Sequence, residues 1–266
     1  MIMKNKLREK LDAGEATMGT HFLSCDPDIA EIVGDTGLFD YGEFCAEYSA
    51  FDMQTLYHMA RAGQCADLPL MLKPDQSSQD FWVQAALGAG FKAILFTDIR
   101  TPDDILACHR AIAADTPDTG GHMGVKLRRP ALSGYQPNAY LDNLNSVVFT
   151  IMIEKDVALN DIDAILEIAK KKGVAMTQWG PADFGFSRGQ PNLMHSEEIR
   201  PFEKLLIRKS LEYGIPPRIE IDEPEQAKRY VDLGARHFCI GWDLSLIHIS
   251  EPTRPRLISY AVFCLK

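Results

Sequence analysis

Val147-Val-Phe-Thr-Ile-Met-Ile-Glu154, the segment Asp161 to Gly173, the run Val174–Trp179 and the tetrapeptide Gly180-Pro-Ala-Asp183 form the passage that decides the fold. From Val147 to Ile153 the chain is apolar without alternation, the pattern of a parallel strand covered on both faces. Ile162, Ile165, Leu166 and Ala169 then recur at helical spacing, and Lys170-Lys171-Lys172 suits the negative end of that helix. A second apolar strand follows, so the passage reads as one strand–helix–strand unit with an acidic residue closing or following each strand.

Working outward, the same alternation runs along the whole chain. Strands are expected at Met18–Leu23, Phe39–Glu47, Leu68–Lys73, Lys92–Thr97, Val147–Glu154, Val174–Trp179, Arg218–Ile221 and Phe238–Trp242. Asp26 as N-cap with Pro27 at the first helical position announces a helix ending near Gly34. Thr101-Pro102-Asp103-Asp104 repeats the device with capping-box spacing. Eight such units in one chain make an α/β protein, and they fit a closed (β/α)8 TIM barrel better than an open doubly wound sheet. In a barrel the chemistry belongs at the C-terminal strand ends, which here carry His21, Glu47, Tyr48, Lys73, Asp98, Glu154, Gln178 and Asp183.

The 266 residues hold 46% hydrophobic and 24% charged residues, enough to bury a full core. Acidic residues number 37 against 28 basic ones, a net charge of −9, so the surface repels phosphate backbones and anionic headgroups. No nucleic-acid or membrane partner is therefore expected. No window reaches the roughly 18 apolar residues of a spanning helix, and the start Met1-Ile-Met-Lys-Asn-Lys lacks an apolar signal core, which reads as cytoplasmic. The six cysteines are scattered without a C-x-x-C pair and read as reduced, mostly buried thiols. Leu246 to Lys266 breaks the pattern, with Pro252 and Pro255 where the barrel's last helix should lie. The run Ser245-Leu-Ile-His-Ile-Ser-Glu-Pro-Thr-Arg-Pro resembles translated adaptor sequence. The expectation is a single domain over 1–245, its last helix missing or replaced, and a non-native tail over 246–266.

Glu154 and Asp183, on consecutive strands, are the residue types that present hard oxygen ligands to Mg²⁺ or Mn²⁺ across a barrel mouth. The structural alternative is a helix cap or a pair with an arginine. His21 reads either as a substrate contact or as a satisfied structural histidine. Arg128, beside Arg129, either clamps a distal carboxylate or pairs on the surface. No G-x-G-x-x-G follows a strand and no G-x-S-x-G elbow occurs, which argues against a nicotinamide cofactor and a hydrolase nucleophile.

Met152-Ile-Glu154 with Gly180-Pro-Ala-Asp183, Cys45-Ala-Glu47-Tyr48, Leu72-Lys73-Pro74, and Gly234 to Asp243 together resemble the metal-dependent, class II pyruvate aldolases of the HpcH/HpaI type, over nearly all of residues 5 to 244. The resemblance implies a barrel of the phosphoenolpyruvate/pyruvate type that cleaves or forms 4-hydroxy-2-oxo acids through a pyruvate enolate. It implies Glu154 and Asp183 as ligands of a divalent metal, Mg²⁺ or Mn²⁺ with Co²⁺ as a further fit. Lys73 stands where the family has an arginine that holds the enolate oxygen, and Glu47 would orient a water near the aldehyde oxygen. Gly180, Ala182 and Gln178 would line the site, with backbone N–H groups of Ala182 and Asp183 receiving the substrate carboxylate. The partners implied are a 2-oxo acid and an aldehyde, in a homo-oligomer.

The departures lie in the proton-transfer machinery. Tyr48 occupies the position of the family histidine, and Gly88 that of its aspartate partner, so the His–Asp dyad is absent. Tyrosine, with an ordinary pKa of about 10, is a poor base at neutral pH unless a cation lowers it. Three other readings compete: an acyl-CoA lyase of the citryl or malyl type, a Schiff-base aldolase using Lys73, and a keto-acid-binding barrel without catalysis.

Overall fold

The computed structural model describes residues 4–127 and 134–243. Eight parallel strands close into a barrel in chain order, the last pairing with the first. They are β1 (Thr17–Phe22), β2 (Tyr41–Phe44), β3 (Leu70–Leu72), β4 (Ala93–Phe96), β5 (Val148–Ile153), β6 (Met176–Trp179), β7 (Pro217–Ile221) and β8 (His237–Trp242). Each falls inside or within a residue of an expected run. The largest difference is β2, read as reaching Glu47 but ending at Phe44. Beyond it the chain turns, because the Lys73 carbonyl takes the Glu47 N–H at 3.1 Å and the Cys45 carbonyl takes the Tyr48 N–H at 3.1 Å.

The helices are α1 (Lys6–Asp12), α2 (Pro27–Asp35), α3 (Met53–Cys65), α4 (Gln79–Ala89), α5 (Pro102–Ile112), α6 (Pro137–Asn145), α7 (Asp156–Asn160), α8 (Ile162–Lys171), α9 (Pro181–Ser187), α10 (Arg200–Glu212) and α11 (Ala227–Val231). Asp26 caps α2 by accepting the Asp28 N–H at 3.0 Å, and Asp104 reaches back to the Thr101 N–H at 2.8 Å to start α5. Every residue of β5 is buried, as its unbroken apolar run requires.

Inside the barrel two chemically different layers are stacked. The lower one is apolar, built by Tyr41, Met71, Ala93, Leu95, Val148, Met152 and Met176, with Leu7 of α1 packed into it. Asn5 fixes α1 there by donating to the carbonyls of Lys92 at 2.8 Å and Ser146 at 2.6 Å, just before β4 and β5. The upper layer is polar, since His21, Glu43, Lys73, Gln178 and Arg218 are all buried. An apolar floor under a polar mouth leaves the C-terminal strand ends as the place for chemistry.

Cys45, Cys108 and Cys239 are buried as expected, whereas Cys65 is exposed at the end of α3 and Cys25 is half-buried. Arg128 and the 246–266 tail lie outside the described residues. No described helix is long and apolar enough to cross a membrane.

Candidate active site at the barrel mouth

Glu154 follows β5 directly and is buried, and its Oε1 accepts the backbone N–H of Asp98 at 2.7 Å. Asp98 donates from a left-handed backbone, φ +59°, unusual for a residue other than glycine and a form of strain found at working sites. Opposite stands Gly180, where an added Cβ would lie 2.5 Å from Glu154 Oε2 and 2.6 Å from its Cβ. Only glycine leaves this carboxylate its room. Asp183 lies in the first turn of α9 and caps nothing with its side chain. Its Oδ1 instead accepts from Lys155 Nζ at 2.8 Å, and the same ammonium lies 2.5 Å from Asp98 Oδ1.

Burial pushes the Glu154 carboxyl up to about 7, and the negative charges of Asp183 and Asp98 add to the rise against the pull of the Asp98 N–H and Lys73. A buried carboxylate crowded by like charges, with oxygen donors only, is short of a cation. Its hard donor set and the glycine cradle fit a divalent metal held by Glu154 and Asp183.

Across the mouth, Lys73 Nζ forms an ion pair with Glu47 at 2.9 Å, lies 3.4 Å from the Tyr48 hydroxyl and sits 4.8 Å from the centre of its ring. Burial works against the lysine's charge, but Glu43 and Glu47 outweigh it and hold the pKa above the ordinary value. Tyr48 is pushed up to about 12 by burial and by Glu47, despite Lys73. At neutral pH the pair is therefore an ammonium and an intact phenol. The nearby cation does not turn Tyr48 into a base.

The polar layer beneath ties up the remaining residues. Arg218, wholly buried, donates Nε to the Tyr41 hydroxyl at 2.6 Å and Nη2 to Glu43. Gln178 donates Nε2 to Glu220 at 2.6 Å. His21 has both ring nitrogens on acceptors, the Gly241 carbonyl at 2.8 Å and Glu220 Oε1 at 2.9 Å, and its ring stacks on Trp242 at 4.4 Å. Two acceptors define a doubly protonated ring. Burial opposes that charge, but Cys239, Glu220 and Glu43 outweigh it and hold the His21 pKa well above 6.5. His21, Glu43 and Cys239 offer atoms within 4.8 Å of one another, yet with an imidazolium on one side and the Arg218 guanidinium on the other this trio already holds its cations. The described structure thus employs His21 in holding Glu220, and Gln178 likewise.

This arrangement sets a pH dependence. A histidine whose folded pKa is raised stabilises fully below its unfolded value near 6.5, and loses that contribution as pH rises through the folded value. The thermal midpoint of the wild type is therefore expected to fall above pH 6.5 more steeply than that of His21→Gln. Parallel slopes in a pH series of melting curves would exclude the imidazolium.

Sequence reasoning found the strand-end groups but missed Lys155, Glu43, Arg218 and Glu220. The signal for the last two was present in β7, where Arg218-Ile219-Glu220-Ile221 alternates charged and apolar residues, unlike a strand apolar on both faces.

No family model matches the chain. A 2-keto-3-deoxy-L-rhamnonate aldolase of Shigella sonnei (strain Ss046) is 25% identical over 246 residues, 92% of this chain and 90% of that protein. Among solved structures, an HpcH/HpaI aldolase from Desulfitobacterium hafniense DCB-2 matches with a TM-score of 0.75 and 20% identity, over 91% of this chain and 92% of that one. An HpcH/HpaI aldolase/citrate lyase family protein from Burkholderia cenocepacia J2315 matches with a TM-score of 0.78 and 22% identity, over 97% of this chain and 99% of that one. At these identities the solved structures speak to the fold.

Proposed function

We propose that this chain, a relative of the HpcH/HpaI-type aldolases in sequence and in fold, is a divalent-metal-dependent carbon–carbon lyase that cleaves or forms 4-hydroxy-2-oxo acids. The observation that carries the reading is the pairing at one mouth of a cation-poor carboxylate site, Glu154 with Asp183, and a buried ammonium, Lys73. Glu154 and Asp183 would hold Mg²⁺ or Mn²⁺, with Co²⁺ also suited to these ligands. When bound, the metal supplies Lewis-acid stabilisation of the negative charge that develops on the 2-oxo acid.

In the cleavage direction the 4-hydroxyl loses a proton, the C3–C4 bond breaks, and its electron pair becomes the pyruvate enolate, which then takes a proton at C3. Lys73 stabilises the enolate oxygen as a fixed positive charge. Glu47 orients the water that takes the proton from the 4-hydroxyl and returns one to C3 of the enolate, and the Tyr48 phenol, neutral at pH 7, donates a hydrogen bond to the aldehyde oxygen. The backbone N–H groups of Ala182 and Asp183, with Gly180 beside them, would receive the substrate carboxylate. Arg128 belongs to the proposal as a contact for the distal end of the substrate.

Two finer readings complete the proposal: a single catalytic domain over 1–245, with the 246–266 tail foreign to it, and a cytoplasmic homo-oligomer acting on small molecules. The net charge of −9 supports the absence of a nucleic-acid partner. The relative's rhamnonate-derived substrate is one member of the 2-oxo-acid class to be tried first.

The Schiff-base alternative needs Lys73 as a free amine, and its carboxylate neighbours keep it an ammonium. EDTA is therefore expected to eliminate pyruvate release from 4-hydroxy-2-oxo acids, with activity returning on addition of Mn²⁺. Borohydride with pyruvate should leave the protein mass unchanged. EDTA-resistant cleavage together with a reduced pyruvate adduct on Lys73 would replace the metal reading with the imine one.

A further inference from the structure

Lys155 follows Glu154 directly, in extended backbone at φ −123°, ψ 137° before α7. Its side chain is nearly buried and its ammonium is shared between two carboxylates, 2.5 Å from Asp98 Oδ1 and 2.8 Å from Asp183 Oδ1. Asp98 also holds Glu154 through its N–H at 2.7 Å. Glu154, Asp98, Lys155 and Asp183 are thus linked in one chain of contacts, in which the carboxylates of Asp98 and Asp183 share the ammonium and Glu154 is held by the Asp98 N–H. Arg100, partly exposed, approaches Asp98 only to 3.7 Å.

We propose that Lys155 is a built-in counter-cation of Asp183 that an arriving divalent ion displaces onto Asp98, so that Lys155 weakens and thereby sets the metal affinity of the site. The inference rests on the reading of Glu154 and Asp183 as metal ligands. The charge count supports it. With a divalent ion in place, Glu154 and Asp183 together balance its two charges, and Asp98 balances Lys155, so no group is left unpaired. Before the ion arrives, Lys155 occupies an oxygen of Asp183, and its charge, a few ångströms from the ion's position, opposes binding. Asp98, whose Oδ1 already lies 2.5 Å from the ammonium, is the carboxylate that receives it.

A lysine that merely braces Asp183 would act with the opposite sign. The test is calorimetric titration of the full chain with Mn²⁺, at fixed ionic strength, for the wild type, Lys155→Met and Asp98→Asn. Lys155→Met should bind Mn²⁺ at least tenfold more tightly, and Asp98→Asn more weakly, because Lys155 then has Asp183 as its remaining carboxylate. If Lys155→Met does not fold, Lys155→Gln, which keeps a hydrogen bond to Asp98, is held to the same tenfold gain. Wild-type binding that disappears in Glu154→Gln, joined to unchanged or weaker binding in the Lys155 variant, would overturn the inference and leave the site standing. Folded wild type and Lys155 variant that both fail to bind Mn²⁺ would overturn both.

Discussion

Asp183→Asn and Glu154→Gln are each expected to abolish measurable Mn²⁺ binding and, with it, pyruvate release, while the barrel stays folded. Each substitution removes one of two anionic donors from a site where no His or Cys group joins them among the described residues. Changes to groups behind metal ligands already cost about 10–100-fold in affinity, so loss of a ligand itself should exceed a hundredfold. Folding should survive for a different reason in each case. The Asp183 side chain is 45% exposed and contributes to no apolar cluster, and an asparagine there can still accept from Lys155. Glu154 is 4% exposed, and its ionisation is held back to about 7 by burial and by its acidic neighbours. Glu154→Gln keeps an oxygen for the Asp98 N–H and removes a charge that the site resists, so its thermal midpoint at pH 8 should be no lower than that of the wild type. Mn²⁺ affinity within threefold of wild type in both variants would remove these residues from the site.

The parts of this molecule legible from sequence are those decided by local periodicity. The unalternating run from Val147 to Ile153 could be assigned to a doubly covered strand because every second-neighbour position is apolar, and β5 is buried throughout. Glu154 and Asp183 stood out because a charge after such a strand has nowhere to go except the mouth. Lys155 was not legible. Its two partners lie far off in sequence, at Asp98 and Asp183, and a lysine after a strand looks like any solvated loop residue until the barrel closes. The end of β2 was misjudged for a related reason: Glu47 and Tyr48 continue a strand-like sequence, and the turn that displaces them is made by the Lys73 carbonyl from β3's end. Tyr48 shows the limit of reasoning from neighbours alone. Lys73 is close enough to lower its pKa, yet partial loss of hydration and the charge of Glu47 outweigh it and push the phenol up to about 12.

Lys73→Met should lose about 2–4 kcal/mol of transition-state stabilisation, roughly 30- to 1,000-fold in kcat/KM, the usual scale for one preorganised electrostatic donor. The surroundings of the ammonium set the size of this loss. Glu43 and Glu47 keep it charged, and Glu47 and Tyr48 fix its position, so it meets an enolate without reorganising. Removing it withdraws the stabilising charge and also leaves Glu47 without its cation, which raises the energy of any nearby anion. Lys73→Arg separates the charge from the amine. A guanidinium keeps the positive charge, offers two parallel donors and cannot form an imine. In a metal-assisted enolate mechanism Lys73→Arg should retain or improve activity, with Mn²⁺ affinity unchanged in a parallel titration. In an imine mechanism it should be as inactive as Lys73→Met. An inactive, folded Lys73→Arg that binds Mn²⁺ normally would therefore contradict the electrostatic role assigned to this residue.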